Sequence, residues 1–366
     1  MDGQPTFPLN AWYVAAWDAE VGRKLLARSI CDQPMVLYRK KDGKAAALAD
    51  ACWHRLVPLS LGTLVGDEIR CGYHGLHFNA DGRCTHMPSQ ETINPSACVR
   101  SYPVVERHRF VWVWPGDPAL ADPDKVPNLR WMDDPEWAGD GSMVEVKADY
   151  RLVLDNLMDL THETYVHASS IGNEALAEAP FDAAHGDTTA TVRRWVLNEE
   201  APAFWGAQLG KPGPVDRWQI IHFMAPATIA LDVGVAPAGS GAPQGDRSQG
   251  VGMWVIHIPT PSTSKTCYYF WCHMRNYRVG EQRVTREVLE AAKGILFEDE
   301  TIIEAQQRAL DRLPGREFYN LSIDAGSLWA RGLIDKMIAK ETAPGAAAQA
   351  AAPARSIPIV PAQVQP

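Results

Sequence analysis

Two short stretches of the chain set cysteine and histidine at metal-ligand spacing. In ACWHRLVPLSLG, Cys52 and His54 are separated by one residue. In CGYHGLHF, Cys71 and His74 are separated by two, and residues 55–70 lie between the pairs. A single Cys-x-x-His pair says little, but two loops that each offer one thiolate and one imidazole form a defined ligand set. Structural zinc sites draw on Cys-x2–4-Cys joined to a second knuckle, and Cys-x-His is not their usual spacing. A [2Fe–2S] cluster needs two ligands per iron. Two thiolates on one iron and two imidazoles on the other use both loops and raise the potential to roughly −150 to +300 mV. Gly72 and Gly75 stand where backbone amides must approach the sulfides. Cys31, Cys84, Cys98, Cys267 and Cys272 lack such pairing and are expected to be buried thiols.

A Rieske-type centre of this kind passes one electron and does not itself activate oxygen, so its acceptor must be sought elsewhere. The stretch DYRLVLDNLMDLTHETYVHASS (149–170) offers one. Its apolar residues predict a buried helix, yet Asp155, Asn156, Asp159 and His162 form a polar stripe that needs partners. His162 and His167 are five apart, about 140° round an ideal helix. Binding one metal therefore requires a π-type bulge or a helix end near Glu163–Val166. Beside an electron-carrying cluster, the expected metal is a mononuclear non-haem iron held by two histidines and one carboxylate, with positions left open. Projecting residues 285–310 as a helix sets Val288, Ala292, Ile295, Leu296, Ile302, Ile303 and Leu310 on one arc. Asp299 falls near its middle, Glu298 and Glu300 at its flanks and Glu304 outside. A carboxylate on an apolar face is costly unless it is paired or metal-bound, which favours Asp299 as third ligand over a buried ion pair. Asp159, three residues before His162, is a candidate to receive the histidine's other N–H.

These sites need a scaffold, and the pattern supplies two. Residues 35–39, 45–50, 99–106 and 110–114 read as short strands separated by turns. Residues 149–168, 284–312 and 324–340 read as helices. Strands are expected at 188–196, 216–223, 228–235, 251–258 and 266–275. The implied organisation is α+β: an all-β cluster domain over 1–118, a Pro/Asp-rich linker over 119–142, a metal-binding domain over 143–341 and an Ala/Pro-rich disordered tail over 342–366. The 366 residues carry a net charge of −9, which disfavours nucleic acid as a partner. No run of about 18 apolar residues suggests a membrane span. The N-terminus does not read as a signal peptide. Seven irregularly spaced cysteines favour the reducing cytoplasm over a disulfide framework.

With both sites in hand, the chain resembles the oxygenase components of Rieske non-haem iron oxygenases, and among them the vanillate O-demethylase branch. The resemblance is carried by NAWYVAAW, the two Cys/His loops, RFVWVWPGDPALADP, YRLVLDNLMDLTHETYVHASSIG, FEDETIIEAQQ and NLSIDAG, and it runs to about residue 340. It implies a Rieske [2Fe–2S] domain followed by a helix-grip (START-like) antiparallel domain, and a head-to-tail homotrimer. It implies that Cys52, His54, Cys71 and His74 hold the cluster and that His162, His167 and Asp299 hold Fe(II). By the same resemblance, Asp159 links an iron histidine to the cluster of the next subunit, Asn156 lies near the iron, and His257 contacts substrate. The implied reaction is O2-dependent demethylation of a methoxylated aromatic acid, vanillate to protocatechuate plus formaldehyde. Electrons would come from NAD(P)H through a separate flavin/[2Fe–2S] reductase, for which this chain has no motif of its own. Trp53 stands where proline is commoner, and Glu290 stands where the dicamba-demethylating member has a pocket tryptophan. Three alternatives stay open: ring or methyl hydroxylation of another aromatic acid, an electron-transfer Rieske protein, and a zinc hydrolase using His162, His167 and Asp299.

Overall fold

The computed structural model of the protein describes residues 6–172 and 174–343. Its first part is built from short strands: β1 (Tyr13–Trp17), β2 (Leu26–Ile30), β3 (Gln33–Arg39), β4 (Ala45–Ala49), β5 (Thr63–Val65), β6 (Glu68–Arg70), β7 (His77–Phe78), β8 (Cys84–His86), β9 (Ser101–Tyr102), β10 (Val104–Arg107) and β11 (Phe110–Val113). They pair in three sheets, ordered β1-β11-β10, β2-β3-β4-β9 and β5-β6-β7-β8. The run MVLY in β3 is continuously apolar because both faces are covered: Met35 and Leu37 join the main core, while Val36 and Tyr38 pack with Ile69, Phe78, Cys52 and Cys71. The first Cys/His loop lies between β4 and β5, the second between β6 and β7. Of the five unpaired cysteines expected to be buried, Cys98 is exposed and the other four are buried. The neighbours Ala97 and Val99 take the interior positions, so the alternation of extended chain turns Cys98 outward.

The second part is one seven-stranded antiparallel sheet with helices on one side. Its strands are β12 (Ala138–Val146), β13 (Phe181–His185), β14 (Thr189–Glu199), β15 (Val215–Met224), β16 (Thr228–Pro237), β17 (Val251–Thr263) and β18 (Thr266–Arg275), in the order β12-β18-β17-β16-β15-β14-β13. Alternation separates two chemistries. Ala230, Ile256, Ile258, Phe270 and Cys272 face a layer containing Trp12, Trp112 and Trp114. Leu231, Val233, Val255, His257 and His273 face a cavity on the other side. The helices are α1 (Tyr150–Met158), α2 (Glu163–Val166), α3 (Glu174–Glu178), α4 (Ala203–Leu209), α5 (Gln282–Arg312) and α6 (Ala325–Thr342). Helix α5 buries Val284, Val288, Ala292, Leu296, Asp299, Ile303 and Gln307, a stripe at steps of three and four. Ile302, expected on that arc, is exposed. The whole is α+β, with an antiparallel sheet gripping one long helix.

Two expectations change. The stretch 119–142, expected as linker, is packed structure: it holds 3-10 turns at Pro123–Lys125 and Arg130–Met132 and the start of β12. Asp117 and Asp122 cap the turns at Pro118–Leu120 and Pro123–Lys125 by accepting from Ala119 N and Asp124 N. Val126, Leu129 and Met132 then lie buried beneath the tryptophans. The helix expected over 149–168 is not continuous. It stops at Met158, because Asp159 is extended (φ −122°, ψ 106°) and caps the next turn by accepting from Thr161 N. Of the tail expected from 342, residues 344–366 lie outside the described residues, while α6 runs to Thr342. Near its end, Glu341 accepts from the amides of Leu9 and Asn10 at 2.8 and 2.7 Å, tying the two ends of the described chain together.

Candidate functional site

The two Cys/His loops are one turn built twice. Cys52 N donates to Val57 O and Cys52 O accepts from Leu56 N, both at 2.9 Å; Cys71 N donates to Leu76 O at 2.8 Å and Cys71 O accepts from Gly75 N at 3.1 Å. The residue four after each cysteine takes a left-handed conformation, Leu56 at φ 59° and Gly75 at φ 73°. Glycine does this freely; a leucine bears roughly 1–2 kcal/mol. Gly72 serves close approach: a Cβ there would lie 2.8 Å from Leu61 O, on the segment leading out of the first loop. Cys52 and Cys71 are buried, and burial pushes the Cys52 thiol up to about 11, opposed by the His54 amide and reinforced by the adjacent Cys71 thiol. His54 and His74 are exposed, with ring centroids 4.6 Å apart. The donors thus form an inner sulfur pair and an outer nitrogen pair. That fits two irons with two ligands each better than a single ion.

The second group converges on one point. His162 Nε2 lies 3.4 Å and His167 Nε2 3.1 Å from Asp299 Oδ1. Among the described residues, these three form the group whose metal-ligating atoms all lie within 4.8 Å of one another. His162 ends the 3-10 turn Leu160–His162 and His167 caps the end of α2, so a helix end does separate the histidines. The break at Asp159 comes before both. Asp299 sits on the buried stripe of α5, where Asn156 Nδ2 donates to its Oδ1 at 3.1 Å.

The outer hydrogen bonds fix the tautomers. His162 Nδ1 reaches the backbone carbonyl of Asp159 at 2.6 Å, an acceptor only, so Nδ1 donates and the lone pair of Nε2 turns inward. His167 Nδ1 meets Glu298 Oε2 at 2.7 Å with the same consequence. Two imidazole lone pairs facing a carboxylate oxygen repel unless a positive charge lies among them. The charge states show the same demand for positive charge, which a proton on the imidazoles can also meet. Burial lowers the His162 pKa, but the hydrogen bond and charge of Asp299 outweigh it and take it up to about 9. Burial raises that of Asp299, but the two imidazoles hold it well below the usual carboxylate range. This is the donor set for one divalent cation with open positions, and non-haem iron fits it.

Several expected residues find partners other than those anticipated. The carboxylate of Asp159 does not orient His162; its backbone carbonyl does, while the side chain caps Thr161. Asp155 pairs with Arg331, joining α1 to α6. Glu298, read as a flanking carboxylate, supports His167. Its position next to Asp299 on the helix was a usable signal, since ligating histidines commonly donate to a carboxylate.

The triad closes one end of a cavity of about 740 Å³, open mouth included. Leu157, Phe204, Trp205, Val255, Val288 and Leu296 supply apolar walls. Glu163 is fully engaged nearby: Arg217 Nη2 donates to it at 2.7 Å, and Gln219 Nε2 approaches its two oxygens at 2.8 and 2.9 Å. His257 also lines the cavity, with its Nδ1 2.7 Å from the Tyr269 hydroxyl. Burial, with His273 close by, takes its pKa down to about 3, so it is a neutral imidazole. Sequence reading did not single out His273. The period-two pattern of Tyr269, Trp271 and His273 in β18 was a signal for it.

Known proteins combine the same parts. Residues 11–103 match the Rieske [2Fe-2S] domain, and residues 146–340 match the vanillate O-demethylase oxygenase C-terminal domain. The vanillate O-demethylase oxygenase subunit of Pseudomonas sp. (strain HR199 / DSM 7063) is 44% identical over 96% of this chain and 99% of its own. The iron-sulfur subunit TsaM1 of the toluene-4-sulfonate monooxygenase system of Comamonas testosteroni is 39% identical over 92% of this chain and 98% of its own. The crystal structure of dicamba monooxygenase bound to dicamba superposes with a TM-score of 0.85 at 35% identity, covering 93% of this chain and all of that one.

Proposed function

Because the chain belongs to the Rieske non-haem iron oxygenases, in the branch with a vanillate O-demethylase oxygenase C-terminal domain, we propose that it O-demethylates a methoxylated aromatic acid, with vanillate as substrate. It is an oxygenase component that works with a separate reductase. We assign the reductase role to a flavin/[2Fe–2S] protein oxidising NAD(P)H. The oxygenase's own cofactors are a Rieske [2Fe–2S] cluster, which relays single electrons, and a mononuclear non-haem iron, which supplies O2 activation. Vanillate, O2, NAD(P)H and a proton become protocatechuate, formaldehyde, water and NAD(P)+. One oxygen atom enters a methyl C–H bond, the resulting hemiacetal breaks its C–O bond, and the other oxygen atom leaves as water.

The chain's own residues divide this work. Cys52, His54, Cys71 and His74 hold the cluster, and His162, His167 and Asp299 hold the iron. Asp159 O and Glu298 aim the two histidines, and Asn156 steadies the carboxylate. The apolar walls take the ring and exclude water, and His257 meets the substrate from the sheet. The oxygenase is a head-to-tail homotrimer in which Asp159 faces the cluster of the next subunit. Support for that assembly comes from exposed apolar side chains at both ends of the path: Trp53, Leu56 and Tyr73 among the cluster ligands, and Tyr165 between the iron histidines.

One observation carries the functional reading: His162, His167 and Asp299 converge at the end of a cavity with mainly apolar walls. The experiment is turnover against a panel of methoxybenzoates with a surrogate reductase, trapping formaldehyde. Vanillate should yield formaldehyde and protocatechuate in equal amounts. Methyl hydroxylation of toluene-4-sulfonate without vanillate turnover would instead favour the second reading, which the similarity to the toluene-sulfonate relative supports.

A further inference from the structure

The two histidines of the triad sit on a segment too short to hold its own shape. Between them lies α2, a single turn of four residues. A 3-10 turn precedes it, and the chain after it folds back so that His167 O accepts from the amides of Ser170, Ile171 and Gly172. Helices shorter than about 12 residues are marginal on their own. The separation of His162 and His167 is therefore set from outside the segment.

One face of the sheet does this. Arg194 of β14 is paired directly opposite Gln219 of β15, and Arg217 lies two residues before Gln219, so all three side chains share a face. All three are buried. Arg194 Nη1 donates to Thr161 Oγ1 at 3.1 Å and to Leu176 O at 3.0 Å. Gln219 Nε2 meets both oxygens of Glu163, the first residue of α2. Arg217 Nη2 donates to Glu163 Oε2 at 2.7 Å, four residues before His167, and its Nη1 donates to Ile171 O at 2.9 Å, four residues after. Arg217 thus brackets His167 from both sides.

Stability alone is a poor reason for such an arrangement. Burying guanidinium and carboxylate groups costs desolvation, and apolar residues of similar volume often hold a core as well. What arginine adds is a planar fork of fixed direction, which holds two acceptors at a set separation.

We propose that Arg217 is a positioning residue of the mononuclear iron site: with Gln219 and Arg194 it forms a cradle on β14 and β15 that fixes the separation and aim of His162 and His167. It acts through Glu163 and Ile171 O and does not ligate the metal. The inference rests on His162, His167 and Asp299 being the iron ligands, and holds whichever aromatic acid is the substrate.

The test compares Arg217→Lys with Arg275→Lys in the full chain with its cluster in place. Lysine keeps the charge beside Glu163 but has no fork with which to fix both acceptors. Arg275 is the control, a buried arginine on β18 that donates to Ala138 O, Thr285 Oγ1, Arg278 O and Glu281 O, none of them in the histidine segment. Two quantities are read: Fe(II) affinity by competition with a chelator, and the electron resonance spectrum of the mononuclear site reloaded with Co(II), whose shape reports ligand geometry. Arg217→Lys should bind Fe(II) about 10-fold more weakly, the lower end of the effect of groups that support a ligand. Its Co(II) spectrum should change while the Rieske absorption stays intact. Arg275→Lys should lower Tm and leave both quantities as in the wild type. Gln219→Met removes one grip and leaves the ion pair, so it should move both quantities in the same direction by less, and it decides the matter if Arg217→Lys does not fold. Wild-type affinity and an unchanged Co(II) spectrum in folded Arg217→Lys, or in Gln219→Met where that variant decides, would overturn the proposal. So would equal changes in Arg275→Lys, which would reduce the effect to general stability. If His162→Ala keeps wild-type iron affinity, the ligand assignment fails first, whatever Arg217→Lys does.

Discussion

The two metal regions solve the same problem by opposite routes. The loops proposed to hold the cluster gather their four candidate ligands from 23 consecutive residues, 52–74, on turns closed by their own backbone hydrogen bonds. The mononuclear site takes His162 and His167 from a broken helix and Asp299 from α5, more than 130 residues away, and depends on packing to bring them together. In the first region the loop aims the ligand. In the second, each ligand needs an outside partner: Asp159 O for His162, Glu298 for His167 and Asn156 for Asp299. A local site should therefore respond to changes in its ligands and turns, and an assembled site to its supports as well.

Removing a buried cluster ligand breaks that comparison hardest. Cys71→Ala should abolish the Rieske absorption while the folded variant still takes up one ferrous ion at the second site. Loss of both metals together would mean that the regions are not independent. His74→Cys is gentler, since it keeps four ligands but exchanges a neutral imidazole for a thiolate. Its potential should fall towards the roughly −400 mV of all-cysteine clusters, as read by redox titration.

On the other side, Glu298→Gln leaves all three iron ligands in place and removes one acceptor. Iron affinity should drop about 10-fold, the lower end of the effect of such supporting groups, with the Rieske spectrum intact. Glu300→Gln, one residue from Asp299 but without a contact to the iron histidines, serves as the control; an equal loss there would discount the support. The smallest effect is expected at Leu56. Leu56→Gly relieves the left-handed strain but loosens the unfolded chain. It should raise stability by no more than about 1 kcal/mol, seen as a small rise in Tm with unchanged absorption.

The same contrast explains what the sequence made legible. Candidate ligands that are local in sequence show in their spacing alone, so the two Cys/His pairs stand out as one set. Asp299 was reachable because α5 is long and regular enough for a charge on its apolar stripe to stand out. The break at Asp159 was missed, although an aspartate two residues before the amide it caps is a known way to start a turn. Glu298 was set aside because projection ranks residues by their direction from the core. The partner it meets, His167, comes from another helix. Val126, Leu129 and Met132 were lost inside a stretch whose prolines and aspartates read as linker, yet they are buried at the ends of its 3-10 turns, Val126 just after the first, Leu129 just before the second and Met132 at the second's last position.

The two regions are proposed to form one catalytic unit, with the triad as the place where electrons from the cluster are used. The most direct measurement reduces the holoenzyme anaerobically with vanillate bound, admits a pulse of O2 and follows cluster absorption and formaldehyde together. Wild-type enzyme should reoxidise its cluster as formaldehyde forms. Asp299→Ala should keep its Rieske spectrum, stay reduced on the same time scale and yield no formaldehyde. Normal formaldehyde from Asp299→Ala, accompanied by prompt cluster reoxidation, would contradict the claim.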